Sequence, residues 1–230
     1  MMSKKTFSNW NKSSKCRPSQ IKSPTTVQEI RAIVQLACKK QKRIRVVGGS
    51  VHTYGSISMC DEQDMIVNLE RFNKVLDINK AEKTVTAQAG IALEDLIPKL
   101  ESKQVRLALR NMGEITKQCL GGVTATGTHG SGGGGGGRNN NNNGVADSFS
   151  DQVVSYKIME LTPQARILEI HKGDADFGAF MTHLGYLAII LEVKLQLVDW
   201  YYLEWKAREI GDYKKLTAGL MQERHGQVYR

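Results

Sequence analysis

Two glycine-bearing segments about 70 residues apart hold the residues whose types and spacing could do chemistry: Arg45-Val-Val-Gly-Gly-Ser-Val-His-Thr-Tyr-Gly55 and Gly121-Gly-Val-Thr-Ala-Thr-Gly-Thr-His-Gly130. Each follows or contains a β-branched run and then drops its side chains, which leaves backbone N–H groups open to something large and anionic. In the first, Gly48, Gly49, Ser50, Val51, His52 and Thr53 would form a loop whose successive N–H groups nest a pyrophosphate, with the imidazole of His52 beside it. Taken alone, the same loop reads equally well as a turn that needs glycine.

Two familiar motifs do not fit this loop. A dinucleotide-binding turn needs G-x-G-x-x-G opening a helix, with an acidic residue about 20 positions later, and the spacing here differs. A hydrolase elbow, G-x-S-x-G, needs glycine where His52 stands, so Ser50 is a poor nucleophile. The second segment changes the balance. Gly121 and Gly122 are followed by Thr124, Thr126, Thr128 and His129, small polar side chains on open backbone, as a long polyphosphate-linked cofactor lying across a sheet would require. Leu120 and Val123 give that segment anchorage in the core. The competing reading, a glycine-rich strand edge, now needs two coincidences, and the two segments together read as a flavin site.

These segments need elements to position them. Thr26 with Glu29 three residues on predicts a capping box, and Val27, Ile30, Ile33, Val34 and Ala37 then fall on one face of a helix that packs on a sheet. A β-branched run over 43–47 predicts a strand delivering the chain into the first glycine loop. Further strands are predicted at 66–67, 75–78 and 84–89, then a capped amphipathic helix at about 93–100. Strands at 152–161 and 166–171, a helix over 174–184 and a long final strand over 186–198 complete the pattern. Along that last strand Ile189, Leu191, Val193, Leu195 and Leu197 are apolar, while Glu192, Lys194 and Gln196 take the wetter face.

The tract 132–144, Gly-rich and then Asn-rich, has no apolar side chain to bury and predicts a loop that interrupts the domain without ending it. From Trp200 the chain changes character, and 199–230 is read as the start of a second domain. Residues 1–45 carry twelve Lys and Arg against one acidic residue, Glu29, so the net charge of +9 on the 230-residue chain is concentrated there. Such a basic arm, 1–19 in particular, can dock on anionic partners or simply be a solvated surface. No apolar segment follows the first charges as a secretory signal would require, and Glu192 with Lys194 interrupts the longest apolar stretch. Four dispersed cysteines suggest neither a zinc site nor a disulfide framework. His171 and His183 read as surface or packing residues.

The segments Val46-Val-Gly-Gly with His52, Met65-Ile-Val-Asn-Leu-Glu-Arg-Phe-Asn-Lys-Val-Leu, Thr86-Ala-Gln-Ala-Gly-Ile, Gly121-Gly-Val-Thr-Ala-Thr-Gly-Thr-His-Gly and His183-Leu-Gly-Tyr-Leu-Ala-Ile-Ile-Leu-Glu-Val occur in order over roughly residues 20 to 200. In this the chain resembles the sugar-1,4-lactone oxidases of the vanillyl-alcohol-oxidase superfamily. The resemblance implies an α+β fold: a PCMH-type FAD-binding domain of two α+β subdomains over 20–198, then the start of a C-terminal cap domain. It implies FAD as cofactor, held by the loop 48–53, by Gly121, Gly122, Thr126, Thr128 and His129 in part, and bordered at its adenine end by Ile189 and Ile190. His52 resembles the histidine that many members join covalently to the flavin, although an ungapped match puts Val51 on that position. Ala188 stands where the family has glycine before the Ile-Ile pair, and the Gly/Asn tract sits where relatives run directly into the next strand.

The implied partners are a small sugar lactone and O₂ or another electron acceptor, with peripheral membrane contact as a further implication and no nucleic acid expected. A non-catalytic FAD-binding scaffold or basic-surface binding module, and further an alditol-oxidase-like flavoenzyme, are the alternative readings. The residues that would hold the lactone belong to the cap, so none is named catalytic here. A cytoplasmic or peripheral-membrane location is expected.

Overall fold

The computed structural model describes residues 6–130 and 148–202. The Gly/Asn tract at 132–144 and nearly all of 199–230 lie outside the described residues. The chain opens with a hairpin of two short antiparallel strands, β1 (Phe7–Ser8) and β2 (Lys15–Cys16). Next come β3 (Gln20–Lys22), α1 (Val27–Lys39), β4 (Ile44–Val47) and β5 (Met65–Asn68), whose strands pair in parallel in the order β3-β5-β4. Parallel neighbours need a crossover, and α1 supplies one. Met65, Ile66 and Val67 of the central strand are at most 1% exposed, which is why they form one apolar run instead of alternating.

The helix α1 buries Ile30, Val34 and Ala37, as its spacing requires. Its capping box is in place. Thr26 Oγ1 accepts from the Glu29 N–H at 3.2 Å, and the Glu29 carboxylate accepts from the N–H groups of Thr25 and Thr26 at 2.6 and 3.3 Å. Those bonds hold the Glu29 pKa below its ordinary value. Thr26→Ala is expected to cost about 1 kcal/mol of stability, visible as a lower urea midpoint at unchanged slope.

The second sheet is antiparallel. β6 (Val75–Asn79) and β7 (Thr84–Gln88) are followed by α2 (Leu93–Glu101), β8 (Leu107–Ala108) and α3 (Leu120–Ala125). Then come β9 (Val153–Glu160), β10 (Ile167–His171), α4 (Phe177–Phe180), β11 (Ala188–Gln196) and β12 (Val198–Asp199). The five long strands lie in the order β10-β9-β11-β7-β6, and β12 pairs with β8. Leu191, Val193 and Leu195 on β11 are fully buried while Gln196 is exposed, as the alternation predicts. The molecule thus has the two expected α+β parts, one around each sheet.

Three local expectations are corrected. The stretch from Gly121 does not run open across a sheet, because 120–125 is helical. Two glycines weaken helix propensity, but Leu120 N–H donates to Ile91 O and Gly121 N–H to Ala89 O, each at 2.8 Å, and fasten the first turn to the end of β7. The helix α2 has no side-chain cap, since Ala92 occupies the cap position; Leu93 N–H instead donates to Gln118 O at 3.0 Å and Glu94 N–H to Thr116 O at 2.9 Å. The predicted helix over 174–184 shrinks to the four residues of α4. Leu184 and Gly185 take left-handed φ of +55° and +78°, which no right-handed helix can pass through. The final strand therefore starts at Ala188, two residues later than predicted.

The two sheets meet where the chain leaves β7. Gly90 N–H donates to Phe72 O at 3.0 Å, and a Cβ on Gly90 would lie 1.8 Å from Leu69 O and 2.5 Å from Phe72 O, both backbone atoms of the turn after β5. The N-terminal hairpin closes over the first glycine loop. Asn9 Nδ2 donates to Thr53 O at 2.8 Å and Trp10 N–H to Val51 O at 3.3 Å. Cys16 and Cys60 bring their Sγ atoms to 3.8 Å as free thiols, and burial, with Cys16 alongside, pushes the Cys60 thiol up to about 12.

Candidate functional site

The end of β4, the loop at 48–53, the helix α3 and the bend at 183–190 surround one crevice of about 910 Å³, counting the solvent space at its mouth. Of the residues singled out in the sequence, Gly48, Ser50, Val51, His52, Thr53, Gly121, Gly122, Thr126 and Ile190 line it. Thr128 and His129 line an adjoining hollow that shares His52 and Gln118 with the crevice. Two residues stand apart from both. Gly49 backs onto Glu70, whose Cγ would lie 2.8 Å from a Cβ there. Ile189 is fully buried on the other face of β11 from Ile190, because successive strand residues point to opposite sides.

The first loop is tightly held. Val51 N–H donates to Gly48 O and Thr53 N–H to Val51 O, so those two donors are spent within the loop. Val51 itself sits at φ +46°, a conformation that a β-branched residue adopts only when its surroundings impose it. Behind the loop, a Cβ on Gly48 would lie 2.6 Å from both Cβ and Sγ of Cys119. Burial raises the pKa of that cysteine, while the N–H groups of Gly49 and Ser50 pull it the other way. The His52 ring stacks on Trp10 at 4.7 Å with 6° between the planes, and meets Tyr54 edge-on at 6.1 Å.

The two glycines of α3 differ in what they face. A Cβ on Gly121 would lie 2.9 Å from Ala89 Cβ, so this position is closed by the sheet. A Cβ on Gly122 would meet nothing within 4 Å and would stand in the crevice. Thr126 and Thr128 share a hydrogen bond at 3.1 Å, and Thr126 also donates to Gly122 O at 2.9 Å.

Four residues that the sequence did not single out for this site give the crevice its polar character. Arg45 Nε, Ser58 Oγ, Gln118 Oε1 and His183 Nε2 are buried with no hydrogen-bond partner, and all four belong to residues that line the crevice. Buried polar atoms are almost always paired, so four orphans among the residues of one crevice make it the candidate ligand site. They offer two N–H donors, one acceptor and one hydroxyl that serves as either. Arg45 carries its guanidinium 4.9 Å over the Tyr186 ring. Val46, Leu69, Ala125 and Ile190 supply apolar wall. The combination suits a long, flat, partly apolar ligand with many hydrogen-bonding edges. Among the described residues no cluster of His, Cys, Asp or Glu could hold a metal ion.

His183 is the largest departure from the sequence reading. Read as a surface or packing residue on a helix, it instead follows α4 outside any helix and, at 7% exposed, is buried. Burial pushes its pKa below the ordinary histidine value. Its place at the head of the His-Leu-Gly-Tyr segment was the only signal the sequence held.

Residues 18–162 match the family described as FAD binding domain. The chain is 35% identical over 199 residues to L-gulonolactone oxidase of Mus musculus, covering 86% of this chain and 41% of that protein. It is 32% identical over 197 residues to L-gulono-1,4-lactone dehydrogenase of Mycobacterium tuberculosis, covering 86% and 42%. Among solved structures, cholesterol oxidase from Brevibacterium sterolicum superposes with a TM-score of 0.71 at 19% identity, over 84% of this chain and 37% of that one, a likeness of fold. The chain spans about two fifths of the length of the curated relatives it matches.

Proposed function

The chain belongs to the FAD binding domain family, and from that premise we propose that it is the flavin-carrying part of a sugar-1,4-lactone oxidoreductase, with the crevice as its cofactor site. FAD is its cofactor. When bound, FAD supplies two-electron redox chemistry for a CH–OH donor.

The observation that carries the site assignment is the set of unpartnered polar atoms on the crevice wall. A flavin dinucleotide has phosphate and carbonyl oxygens for the N–H groups of Arg45 and His183, and hydroxyl and ring N–H groups for Gln118 Oε1. Gly122 leaves room for it, and the apolar wall of Val46, Leu69 and Ile190 suits a ring system. Residues 20–198 form this portion, with the basic residues 1–19 before it and 199–230 starting a substrate-binding cap.

The donor in this reading is an aldono-1,4-lactone, since both relatives are named for a gulonolactone and one of them for the 1,4-lactone. One of them is named an oxidase and the other a dehydrogenase, so this reading keeps two acceptors, O₂ or another electron acceptor. Peripheral contact of the basic arm with an anionic membrane surface belongs to the same reading. Among the described residues no helix is long and apolar enough to cross a membrane.

The decisive measurement is the visible absorbance of the protein reconstituted with FAD, before and after acid precipitation. Flavin bands are expected, and their absence after reconstitution would overturn the assignment. Bands that stay with the pellet establish a covalent flavin and favour His52, which lines the crevice, as the link; bands released to the supernatant remove the link. Anaerobic addition of an aldonolactone then tests the substrate: bleaching supports it, and unchanged bands indicate a flavin carrier that does not oxidise lactone.

A further inference from the structure

We propose that His183 is a cofactor-holding residue of the crevice, donating its Nε2–H to an acceptor on the bound flavin nucleotide. This rests on the flavin reading above and goes beyond it by assigning a residue and an atom. The geometry fixes the tautomer. Nδ1 accepts from the Gly185 N–H at 3.1 Å, so the proton of the neutral ring is on Nε2. That nitrogen is buried, has no partner and belongs to one of the residues that line the crevice. Desolvation by burial keeps the ring neutral, so Nε2 acts as an uncharged donor.

The surrounding structure holds the ring in this position. Phe180 stands 5.7 Å away and flanks it. The turn that carries it is tied to α3 by Leu184 N–H donating to Ala125 O at 2.9 Å, and closed on itself by Tyr186 N–H donating to His183 O at 3.0 Å. Two consecutive left-handed residues, Leu184 and Gly185, shape the bend. A buried donor without an acceptor is destabilising. An apolar side chain at 183 would avoid that cost, whereas a nucleotide in the crevice offsets it.

A purely structural histidine would need only Nδ1, so two substitutions separate the roles. His183→Asn keeps an acceptor close to the place of Nδ1 and removes the distal donor. His183→Gln carries an amide N–H about as far out as Nε2 and gives up the near acceptor. The readouts are the FAD dissociation constant, from quenching of flavin fluorescence as apo-protein is added, and the thermal midpoint of the apo-protein. His183→Asn is expected to weaken FAD binding about tenfold with the apo midpoint unchanged or raised. His183→Gln is expected to bind within a few-fold of the parent protein. Equal binding by parent and His183→Asn overturns the proposal, as does loss of binding in both variants in step with a lowered apo midpoint. Absence of quenching by the parent protein would instead sink the flavin reading itself.

Discussion

Replacing Gly122 with leucine is expected to abolish measurable FAD binding while the protein stays folded. A Cβ at this position meets no atom within 4 Å, and the residue faces the crevice from α3. A side chain there would therefore enter ligand space, since its Cβ displaces no protein atom. Within the helix, exchanging glycine for a better helix former contributes about 0.5–1 kcal/mol of stability. The loss of affinity should be at least about a hundredfold, or about 2.7 kcal/mol, because a blocked cradle cannot be recovered by small adjustments. Flavin-fluorescence titration and the thermal midpoint, taken together, check both halves of the statement. A leucine variant that binds FAD like the parent would mean that the crevice is not the cofactor site.

The adjacent glycine would fail differently. At Gly121 the added atom meets Ala89 at 2.9 Å, so there a substitution damages the fold before it reaches any ligand. Two neighbouring glycines in one short helix thus serve unrelated purposes, close packing at one and access at the other.

The largest loss of stability is expected from Gly90→Ala. The new methyl group would lie 1.8 Å from Leu69 O and 2.6 Å from Leu69 C, so it is backbone, not a flexible side chain, that must move. That backbone belongs to the short turn between β5 and β6, and Gly90 follows β7, so the clash separates the two sheets at their junction. The hydrogen bond from Gly90 N–H to Phe72 O would open with it. Overpacking usually costs about 1–3 kcal/mol and more where the obstacle is rigid; at least about 3 kcal/mol is expected here. Against a total stability of about 5–15 kcal/mol, that is enough to leave much of the protein unfolded at moderate temperature. A urea midpoint within experimental error of the parent would refute this view of the junction.

How far the sequence went depends on what kind of information each feature needs. The helix α1 was legible because its cap and its apolar face are local: Thr26, Glu29, Ile30, Val34 and Ala37 interact within a few turns. Strand β11 was legible because burial on one face writes an alternation into Leu191, Val193 and Leu195. The family resemblance rested on glycine segments whose order along the chain is itself specific. What escaped were features set by distant partners. The helix α3 forms because its first turn donates to Ala89 and Ile91, which no propensity at Gly121 or Gly122 announces. The polar wall of Arg45, Ser58, Gln118 and His183 is defined by missing partners, and an absence of hydrogen bonds has no sequence signature. The helix read over 174–184 shrank to Phe177–Phe180, and the left-handed bend at Leu184 and Gly185 that follows it is held by Leu184 N–H donating to Ala125 O, a partner distant in sequence.

The strand order β10-β9-β11-β7-β6 places the last long strand to be synthesised at the centre of its sheet. On the ribosome, β6 with β7 and β9 with β10 can pair as separate antiparallel hairpins, but nothing joins them until Ala188–Gln196 has emerged. Until then each hairpin keeps an open edge, the condition in which strands find wrong neighbours. Closure of the sheet is therefore a late event dominated by contacts far apart in sequence, which slows folding. Ala188 and Ile190 of the same strand also wall the crevice, so a nascent chain completes that crevice at the moment its sheet closes, and not before.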